Sequence, residues 1–286
     1  MFIAELESLL ENRSFSQVKT TQEVTFSRDI QDNGEFKEVL FSIVQDEHKR
    51  GAARDLLNGR YGWRGYGSTH DLRSDIHHTT FVAEIDEQVV GTLTLGVDSD
   101  CGLAIDRTFA EVVDQARCEP GTRICELTKL AFAQDVRSKP VLAGLFHLAY
   151  IYGTAHTDCT DLFIEVNPRH LRFYEMMLGF RGVGSLSTNA SVAAPSRLLR
   201  IDVDTIRRNI RAMAGAAPID NARSLYPYFF PFEEERQIRR SLGSAWPSQM
   251  DRFGHAPNSR AEGYIDDSVA LAAGNCSVTR HMRSAA

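Results

Sequence analysis

The stretch that decides the fold is residues 161–180, which read DLFIEVNPRHLRFYEMMLGF. The first six residues are mostly apolar and predict a short buried strand. Asn167 follows at the end of this strand, and a short helix carrying Tyr174 comes next. Gly179 and Phe180 then close the helix. We therefore expect a strand, a polar residue at its end and a tyrosine-bearing helix, in this order.

The residues around this stretch extend the pattern. Residues 124–132 predict a strand with apolar residues on both faces, which is typical of a central strand. Pro140 is favourable in the first turn of a helix, and this helix is expected to run to about His156. The other predicted elements are strands at 24–30, 79–85, 89–97 and 197–203, and helices at 36–57, 106–116 and 204–213.

The composition is that of an ordinary globular protein. Of 286 residues, 43% are hydrophobic and 24% charged. No apolar run approaches the roughly 20 residues of a membrane span. The first residues are acidic where a signal peptide would be basic, so a cytoplasmic location is expected. We expect one domain at 1–242 with its core at about 20–205, followed by a flexible, mostly disordered tail at 243–286.

Charge, cysteines and histidines exclude several classes of function. The net charge of −6 gives no reason to expect nucleic-acid binding. Five cysteines are an odd number without a Cys-x-x-Cys pair, which argues against a disulfide framework and against zinc. His77 and His78 have no further ligand at metal-like spacing, so a structural role is expected and no metal site is predicted.

The strand Glu126-Leu127-Thr128-Lys129-Leu130 carries a resemblance to a known family. The order of elements over 122–180 resembles the C-terminal half of the GNAT superfamily of N-acyltransferases. The strand itself, preceded by residues 96–99 and a short helix, is similar to that of the long-chain N-acyl amino acid synthases. These enzymes are akin to the acyl-homoserine-lactone synthases, whose strand reads Glu-x-Ser-Arg-Phe. The resemblance covers about residues 20–205.

This resemblance implies a fold and an activity. The implied fold is α/β (α+β), with a GNAT-like mixed, mostly antiparallel central sheet flanked by helices. The implied reaction transfers a long-chain acyl group from an acyl-acyl-carrier-protein thioester to the amino group of an amino acid. The donor would be acyl-phosphopantetheine on an acidic acyl carrier protein, with acyl-CoA less favoured, and no permanently bound cofactor is expected.

Glu126 is the predicted general base. A carboxylate within an apolar strand is costly to bury, and burial raises its pKa and its basicity. An amine nucleophile must lose a proton before it attacks a thioester. The alternative is a salt bridge to Arg123, Lys129 or a loop arginine. A Cys125 acyl-enzyme is disfavoured, because the side chain of Cys125 should point away from Glu126.

The resemblance also implies roles for two residues near the decisive stretch. Tyr174 matches the tyrosine that protonates the leaving thiolate in many GNAT enzymes, although a core aromatic is the alternative. Asn167 is expected to bond the pantetheine amide or to cap the following helix.

The expected donor site departs from that of GNAT enzymes that use coenzyme A. Those enzymes have a glycine-rich turn for the pyrophosphate, whereas Pro140 stands here in place of the first glycine. A helix start flanked by Arg137 and Lys139 is expected to hold the single phosphate of a phosphopantetheine arm. Incidental surface charges are the alternative. Thr128, Leu130 and Phe132 are expected to line the substrate path, together with Phe146.

The acceptor is expected to bind at the loop that holds Arg60, Trp63 and Arg64. In the homoserine-lactone relatives, arginine and tryptophan of the corresponding region help to hold the amine substrate. A guanidinium group can bind the carboxylate of an amino acid through two hydrogen bonds. The alternative is a solvated surface loop.

Two further features of the sequence indicate contact surfaces. Eight arginines occur between residues 169 and 211, and they predict either a basic docking surface for an acidic carrier protein or a solvated helix face. The aromatic run at 225–232 must be covered by the core, by a lipid at a binding mouth or by an oligomer contact.

Three alternatives to the synthase reading remain open. The first is an acyl-homoserine-lactone synthase, and the missing aromatic residue after Lys129 speaks mildly against it. The second is an acetyl-CoA-dependent N-acetyltransferase, which Pro140 disfavours. The third is a non-catalytic acyl-binding module.

Overall fold

A computed structural model describes residues 25–32, 35–67, 69–136, 138–216 and 223–245. The strands of these residues are β1 (Thr25–Asp32), β2 (Glu35–Ile43), β3 (His78–Ile85), β4 (Gln88–Val97), β5 (Ile124–Phe132), β6 (Asp161–Val166), β7 (Arg181–Asn189) and β8 (Ala194–Asp202). The helices are α1 (Glu47–Trp63), α2 (Asp106–Arg117), α3 (Lys139–His156), α4 (Leu171–Leu178), α5 (Val203–Met213) and α6 (Phe232–Ala245). Short 3₁₀ turns lie at Pro168–His170 and Tyr226–Tyr228.

The eight strands of the described residues form one sheet in the order β1-β2-β3-β4-β5-β6-β8-β7. Of the neighbouring pairs among these described strands, β5–β6 is parallel and the other six are antiparallel. The predicted central position of β5 is confirmed. A mixed, mostly antiparallel sheet with one parallel pair at its centre results.

Helices cover both faces of the sheet. Helix α3 packs against β2, β3 and β4, and its residues from Val141 to Gly153 are almost all buried. On the other face, α1 packs against β4 and β5, and α2 packs against β7. Side chains alternate along a strand, so Cys125 and Leu127 of β5 join the core under α3 while Glu126 points to the opposite face. The site therefore lies on the α1 and α2 side.

The predicted helix at 36–57 is wrong at its first half. Residues 35–43 form β2, which pairs with β1 and with β3, and the helix begins only at Glu47. The spacing of the apolar residues fits both the period of a helix and that of a strand. In the structure Val39, Phe41 and Ile43 alternate into the core, as a strand requires. Asp46 caps the true helix by accepting a hydrogen bond from the Lys49 amide.

Most of the other predicted elements are confirmed. The strands at 124–132 and 161–166 have the predicted bounds, and the helix starting beside Pro140 ends at His156 as expected. Asp86 and Glu87, both with positive φ, make the two-residue turn of the predicted β3–β4 hairpin. Strand β7 was not predicted, because its residues are mostly exposed and their apolar pattern is weak.

The aromatic run packs back on the core. Tyr226, Phe229 and Phe230 are buried, and helix α6 follows directly and runs to Ala245, beyond the expected domain boundary at 242. Residues 246–286 of the expected tail lie outside the described residues. Within the described ranges, no helix combines the length and the apolar character needed to cross a bilayer.

Candidate active site

The centre of the sheet opens beside Glu126. The parallel ladder between β5 and β6 joins Ile124–Leu127 to Asp161–Ile164 and then stops. Among the described strands, residues 128–132 of β5 pair only with β4. The register of that pair shifts between Thr92 and Thr94, opposite Lys129, whose φ is +56°. This bulge turns part of the β5 backbone out of the ladder and leaves an edge that faces the gap.

Glu126 is held by backbone amides. Its side chain is only 1% exposed. The Ala104 amide donates to Oε1 at 2.8 Å, and the Ile105 amide donates to Oε2 at 3.1 Å. Gly96 lies opposite in β4, and a Cβ there would come within 3.1 Å of the Glu126 side chain. The carboxyl group therefore occupies a narrow space between β4 and the start of α2.

The surroundings of Glu126 raise its pKa to about 7. Burial is the largest cause, and the nearby carboxylates Asp106 and Glu165 add to it, whereas the two amide hydrogen bonds oppose it. The expected alternative of a salt bridge to Arg123 is not what the structure has, because Arg123 pairs with Asp158. Among the described residues, Glu126 makes no ion pair, although Lys129 lies within electrostatic reach. A carboxyl group in this setting changes its charge near neutral pH.

Tyr174 lies in an aromatic environment. Its ring makes edge contacts with Phe146, Phe173 and Phe180 at centroid distances of 6.4, 5.3 and 6.1 Å. Burial raises the pKa of the phenol, and Arg64 is near enough to oppose that rise. Tyr174 is therefore part of the core by contact, while its hydroxyl group is close to the charged loop after α1.

Asn167 joins the end of β6 to the loop after α1. Its Oδ1 accepts from the Arg169 amide at 3.2 Å, so the expected capping of the following turn is observed. Its Nδ2 also donates to the Tyr66 hydroxyl oxygen at 3.5 Å, and Arg169 donates to the same oxygen at 3.0 Å. The end of β6 and the loop that follows α1 are therefore in contact, although Asn167 and Tyr66 are 101 residues apart in the sequence.

The three predicted acceptor residues lie at the C-terminal end of α1. The Arg60 guanidinium lies over the Trp63 ring at 5.1 Å, and Trp63 itself is 70% exposed. Burial raises the pKa of Tyr61 and of Tyr174, and the charge of Arg64 opposes that rise in both. Burial lowers the pKa of His170, and Arg64 adds to that lowering. Of the three, Arg64 is the one near the predicted acid.

Of the predicted donor-binding residues, Lys139 is the first residue of α3, and Asn167 lies at the end of β6 as described above. Ser138 caps this helix, with its hydroxyl oxygen accepting from the Val141 amide, and Pro140 is in the first turn as predicted. Lys139 is exposed beside them. Arg137 lies outside the described residues.

The predicted lining residues fall on both sides of the bulge. Thr128 is paired with Thr94 and is on the same face as Glu126. Leu130 and Phe132 contact the core under α3, and the Phe132 ring lies against Gly91. They are partly buried along the unpaired edge of β5.

The eight arginines do not form one face. Arg200 binds Asp161 and Glu119, Arg207 binds Asp204, and Arg208 lies 3.9 Å from Asp202. Arg172 and Arg181 are exposed, and Arg169 binds Tyr66 as described above. Three of the eight arginines are thus engaged with carboxylates, whereas Arg169, Arg172 and Arg181 lie around α4, which follows the end of β6.

Sequence reasoning missed two contributors to the site. Tyr66 connects the loop to Asn167, and nothing in the sequence marks it among the aromatics of that loop. Glu165, on β6, is the second carboxyl group that acts on Glu126, and its own pKa is raised by burial. Strand alternation is the signal that would have found it, because Glu165 points to the same face as Phe163, the parallel partner of Glu126.

The chain is similar in sequence and in structure to known proteins. The sequence family described as N-acyl amino acid synthase FeeM matches residues 52–202. The solved structure of FeeM, an N-acyl amino acid synthase from uncultured soil microbes, is 26% identical to the chain. The match covers 59% of this chain and 93% of the FeeM chain, with a TM-score of 0.54. No curated protein matches the chain.

Two further solved structures are more distantly similar to the chain. An acyl-CoA N-acyltransferase from Pseudomonas aeruginosa is 12% identical, covers 56% of this chain and 97% of its own, and has a TM-score of 0.41. The CoA-dependent acyl-homoserine lactone synthase BjaI is 16% identical, covers 57% of this chain and 78% of its own, and has a TM-score of 0.42. The predicted α/β fold, with a mixed, mostly antiparallel sheet flanked by helices, is confirmed by the sheet order and the helices of the described residues.

Proposed function

The chain belongs to the FeeM family of N-acyl amino acid synthases, and from this premise we propose that it transfers a long-chain acyl group from an acyl carrier protein to the amino group of an amino acid. It is an acyltransferase enzyme with a GNAT-like fold. The observation that carries the finer proposal is the buried carboxyl group of Glu126, one residue before the point where β5 and β6 separate.

Glu126 is the general base in this proposal. The amine arrives as an ammonium ion, and Glu126 takes one proton from it. A pKa of about 7 leaves a substantial carboxylate population at neutral pH and makes that carboxylate a stronger base than an exposed glutamate. The nitrogen lone pair is then free to attack the thioester carbonyl carbon.

Acyl transfer then forms a C–N bond and breaks the C–S bond. The tetrahedral oxyanion accepts hydrogen bonds from backbone amides of β5, and the bulge at Lys129 supports this because it turns the backbone out of the ladder. The leaving thiolate takes a proton from Tyr174. The nitrogen loses a second proton as the amide forms, and this proton restores the Tyr174 phenol, while Glu126 releases the first proton to solvent. Burial raises the pKa of Tyr174, so the phenol carries a proton to donate at neutral pH, and the nearby charge of Arg64 offsets part of the cost of ionising it.

The acceptor is an amino acid bound by its carboxylate. We assign that contact to Arg64 with support from Arg60 and Trp63, which stack on each other at the end of α1. An arginine fork matches a carboxylate better than a lysine ammonium does, because it donates two parallel hydrogen bonds.

The donor is a phosphopantetheine thioester. The α3 start supports a single phosphate, because its free amides carry a partial positive charge and Lys139 adds a full one. Arg137 is the second proposed contact, and Asn167 is proposed to bond the pantetheine amide. The acyl chain passes Thr128, Leu130 and Phe132, whose edge of β5 faces the gap.

The carrier protein is proposed to dock near the same opening. Arg169 and Arg172 lie at the start of α4, and exposed Arg181 follows that helix. An acidic carrier protein complements this charge. Arg200, Arg207 and Arg208, which lie close to aspartate or glutamate, are left out of the docking surface.

Mass spectrometry of organic extracts tests the activity. Cells that express the wild type are expected to contain long-chain N-acyl amino acids, and cells that express Glu126→Gln are expected to lack them. The products identify both the acyl chain and the acceptor. If extracts from cells with folded wild-type protein contain none, the proposed synthase activity is wrong.

The donor needs a separate assay with purified protein. We expect kcat/KM to be at least about tenfold higher with an acyl carrier protein thioester than with the matching acyl-CoA. Charge reversal at Arg172 should lower the first value and leave the second unchanged. Equal values for the two donors would contradict the carrier protein as the donor.

A further inference from the structure

Arg117, at the end of α2, forms a clamp with three aspartates. Its guanidinium donates to both oxygens of Asp98, from Nε and Nη2 at 2.7 Å each. It donates to both oxygens of Asp106 at 2.9 and 2.8 Å, and to Asp114 at 2.7 Å. These five hydrogen bonds match the five donors of a guanidinium group. We call Arg117, Asp98, Asp106 and Asp114 the arginine clamp.

The arginine clamp holds both ends of one loop. Asp98 follows β4 directly, and Asp106 is the first residue of α2. Arg117 thus joins the two residues between which the chain crosses from the sheet to the helix. The Asp106 carboxylate also accepts from the Leu103 amide at 2.7 Å, so the clamp reaches into the loop itself.

The loop between these ends has little freedom. Gly102 has a φ of +70°, and a Cβ at that position would come within 2.6 Å of Asp106 Oδ2. The Gly102 amide donates to the Ser99 carbonyl at 2.8 Å. The next two amides after Leu103 are those of Ala104 and Ile105, which donate to Glu126. The clamp therefore ends where the contacts to the proposed base begin.

We propose that Arg117 is a positioning residue for the acyl transfer: it fixes the 98–105 loop so that the Ala104 and Ile105 amides hold the Glu126 carboxylate. This proposal rests on the proposed function, because it takes Glu126 as the base. Arg117 touches neither substrate nor reacting atoms. It acts through the loop and through the charge of Asp106.

Both effects of Arg117 act in the same direction. Hydrogen bonds from the two amides stabilise the carboxylate and lower the pKa of Glu126, whereas the charge of Asp106 raises it. Loss of Arg117 loosens the amides and removes the cation that neutralises Asp106. Each change raises the pKa of Glu126, so the rising limb of a pH–rate profile should move to higher pH.

Arg200 provides a matched control. It also binds two carboxylates, Asp161 through Nε and Glu119 through both Nη atoms. Its side chain is 25% exposed, and that of Arg117 is 24% exposed. Within the described residues, the carboxylates that Arg200 binds lie on β6 and after α2 and not in the 98–105 loop. Its loss should therefore cost comparable stability without acting on Glu126.

The test measures kcat between pH 5.5 and 9.5 for the wild type, Arg117→Met and Arg200→Met. For Arg117→Met we expect the midpoint of the rising limb to move up by about one pH unit, with recovery of rate at high pH and little change in the KM of the acceptor. For Arg200→Met the midpoint should stay where it is. Arg117→Lys keeps one positive charge and should give a midpoint between the other two.

Two results would overturn the proposal: an unchanged midpoint in folded Arg117→Met, or equal shifts in both arginine variants. If Arg117→Met does not fold, an unchanged midpoint in Arg117→Lys has the same force. The Glu126 carboxyl titration, read by infrared difference spectra against Glu126→Gln, provides a readout without turnover. A failed synthase assay together with a shifted titration in Arg117→Met would reject the proposed function and keep the role of Arg117.

Discussion

Glu126 and His147 are both buried ionisable side chains, and they lie on opposite faces of the sheet with different neighbours. Glu126 receives two backbone hydrogen bonds and lies next to the gap between β5 and β6. His147, fully buried in α3, is stacked on Phe229 and Phe230 at 4.7 and 5.2 Å. Its Nδ1 accepts from the Phe230 amide at 2.9 Å, and its Nε2 lies 3.4 Å from Glu235. Burial alone does not separate these two groups.

The difference lies in what surrounds each group. His147 is completely buried under residues 229–235, with its Nδ1 bonded to the Phe230 amide and its Nε2 facing Glu235, so no substrate can reach it. Glu126 has an opening in the sheet beside it. A buried ionisable group is therefore a candidate for catalysis only where the structure also provides a path for substrate.

The largest expected effect is on kcat, which should fall on substitution of Glu126 and not on substitution of His147. Glu126→Gln should reduce kcat by about 10²- to 10⁴-fold, because the amine then has no base to accept its proton. His147→Leu should leave the kcat of the folded protein close to that of the wild type. Steady-state kinetics on both variants make the measurement. Full activity in Glu126→Gln would show that the proposed base is wrong.

The second prediction concerns stability and pH. The pKa of Glu126 is about 7 in the folded chain, above the ordinary 4.5, so the stability linked to it is present below about pH 4.5 and is lost as the pH rises through 7. Between pH 5 and pH 9 the free energy of unfolding of the wild type should fall by about 3 kcal/mol more than that of Glu126→Gln. Urea unfolding at several pH values tests this, and parallel curves would contradict it.

His147 should show the opposite sign. Burial lowers its pKa, so the stability linked to neutral His147 is present above about pH 6.5 and is lost as the pH falls. His147→Leu should cost about 2 kcal/mol at pH 8, because the Phe230 amide loses its acceptor in a buried place. It should also be less sensitive to acid than the wild type. Greater acid sensitivity in the variant would be inconsistent with a neutral His147.

The smallest expected effect tests the segment that covers His147. The Tyr226 hydroxyl donates to the Leu178 carbonyl at 2.8 Å, and both groups are buried. Tyr226→Phe should lower the free energy of unfolding by about 1 kcal/mol. Activity should not change, because this contact is on the face opposite Glu126. A loss of activity without a loss of stability would connect the two faces in a way that the structure does not explain.

The fold around the site could be predicted because its signals are local. Residues 124–180 show strand and helix periods that need no distant partner, and their bounds agree with the structure. The error at 36–57 has a non-local cause, since pairing with β1 and β3 decides between two periods that Val39 and Ile43 both satisfy. Pairing between strands that are distant in sequence cannot be predicted from a short stretch of residues.

The site was predictable in part for the same reason. An acidic residue in an apolar strand marks Glu126 without any structure. Its hydrogen-bond donors are the backbone amides of residues 104 and 105, and backbone groups have no sequence signature. The contact between Tyr66 and Asn167 joins residues about 100 apart and depends on the fold as a whole.

The packing of the last described helix has a consequence for the size of the folding unit. The family match ends at residue 202, yet Phe230, Ile238 and Leu242 are completely buried against the same core as Phe41. A fragment trimmed to the matched region would expose this apolar surface to water and is expected to aggregate. For this protein, the shortest piece that can be purified for crystallography or screening extends at least to Ala245.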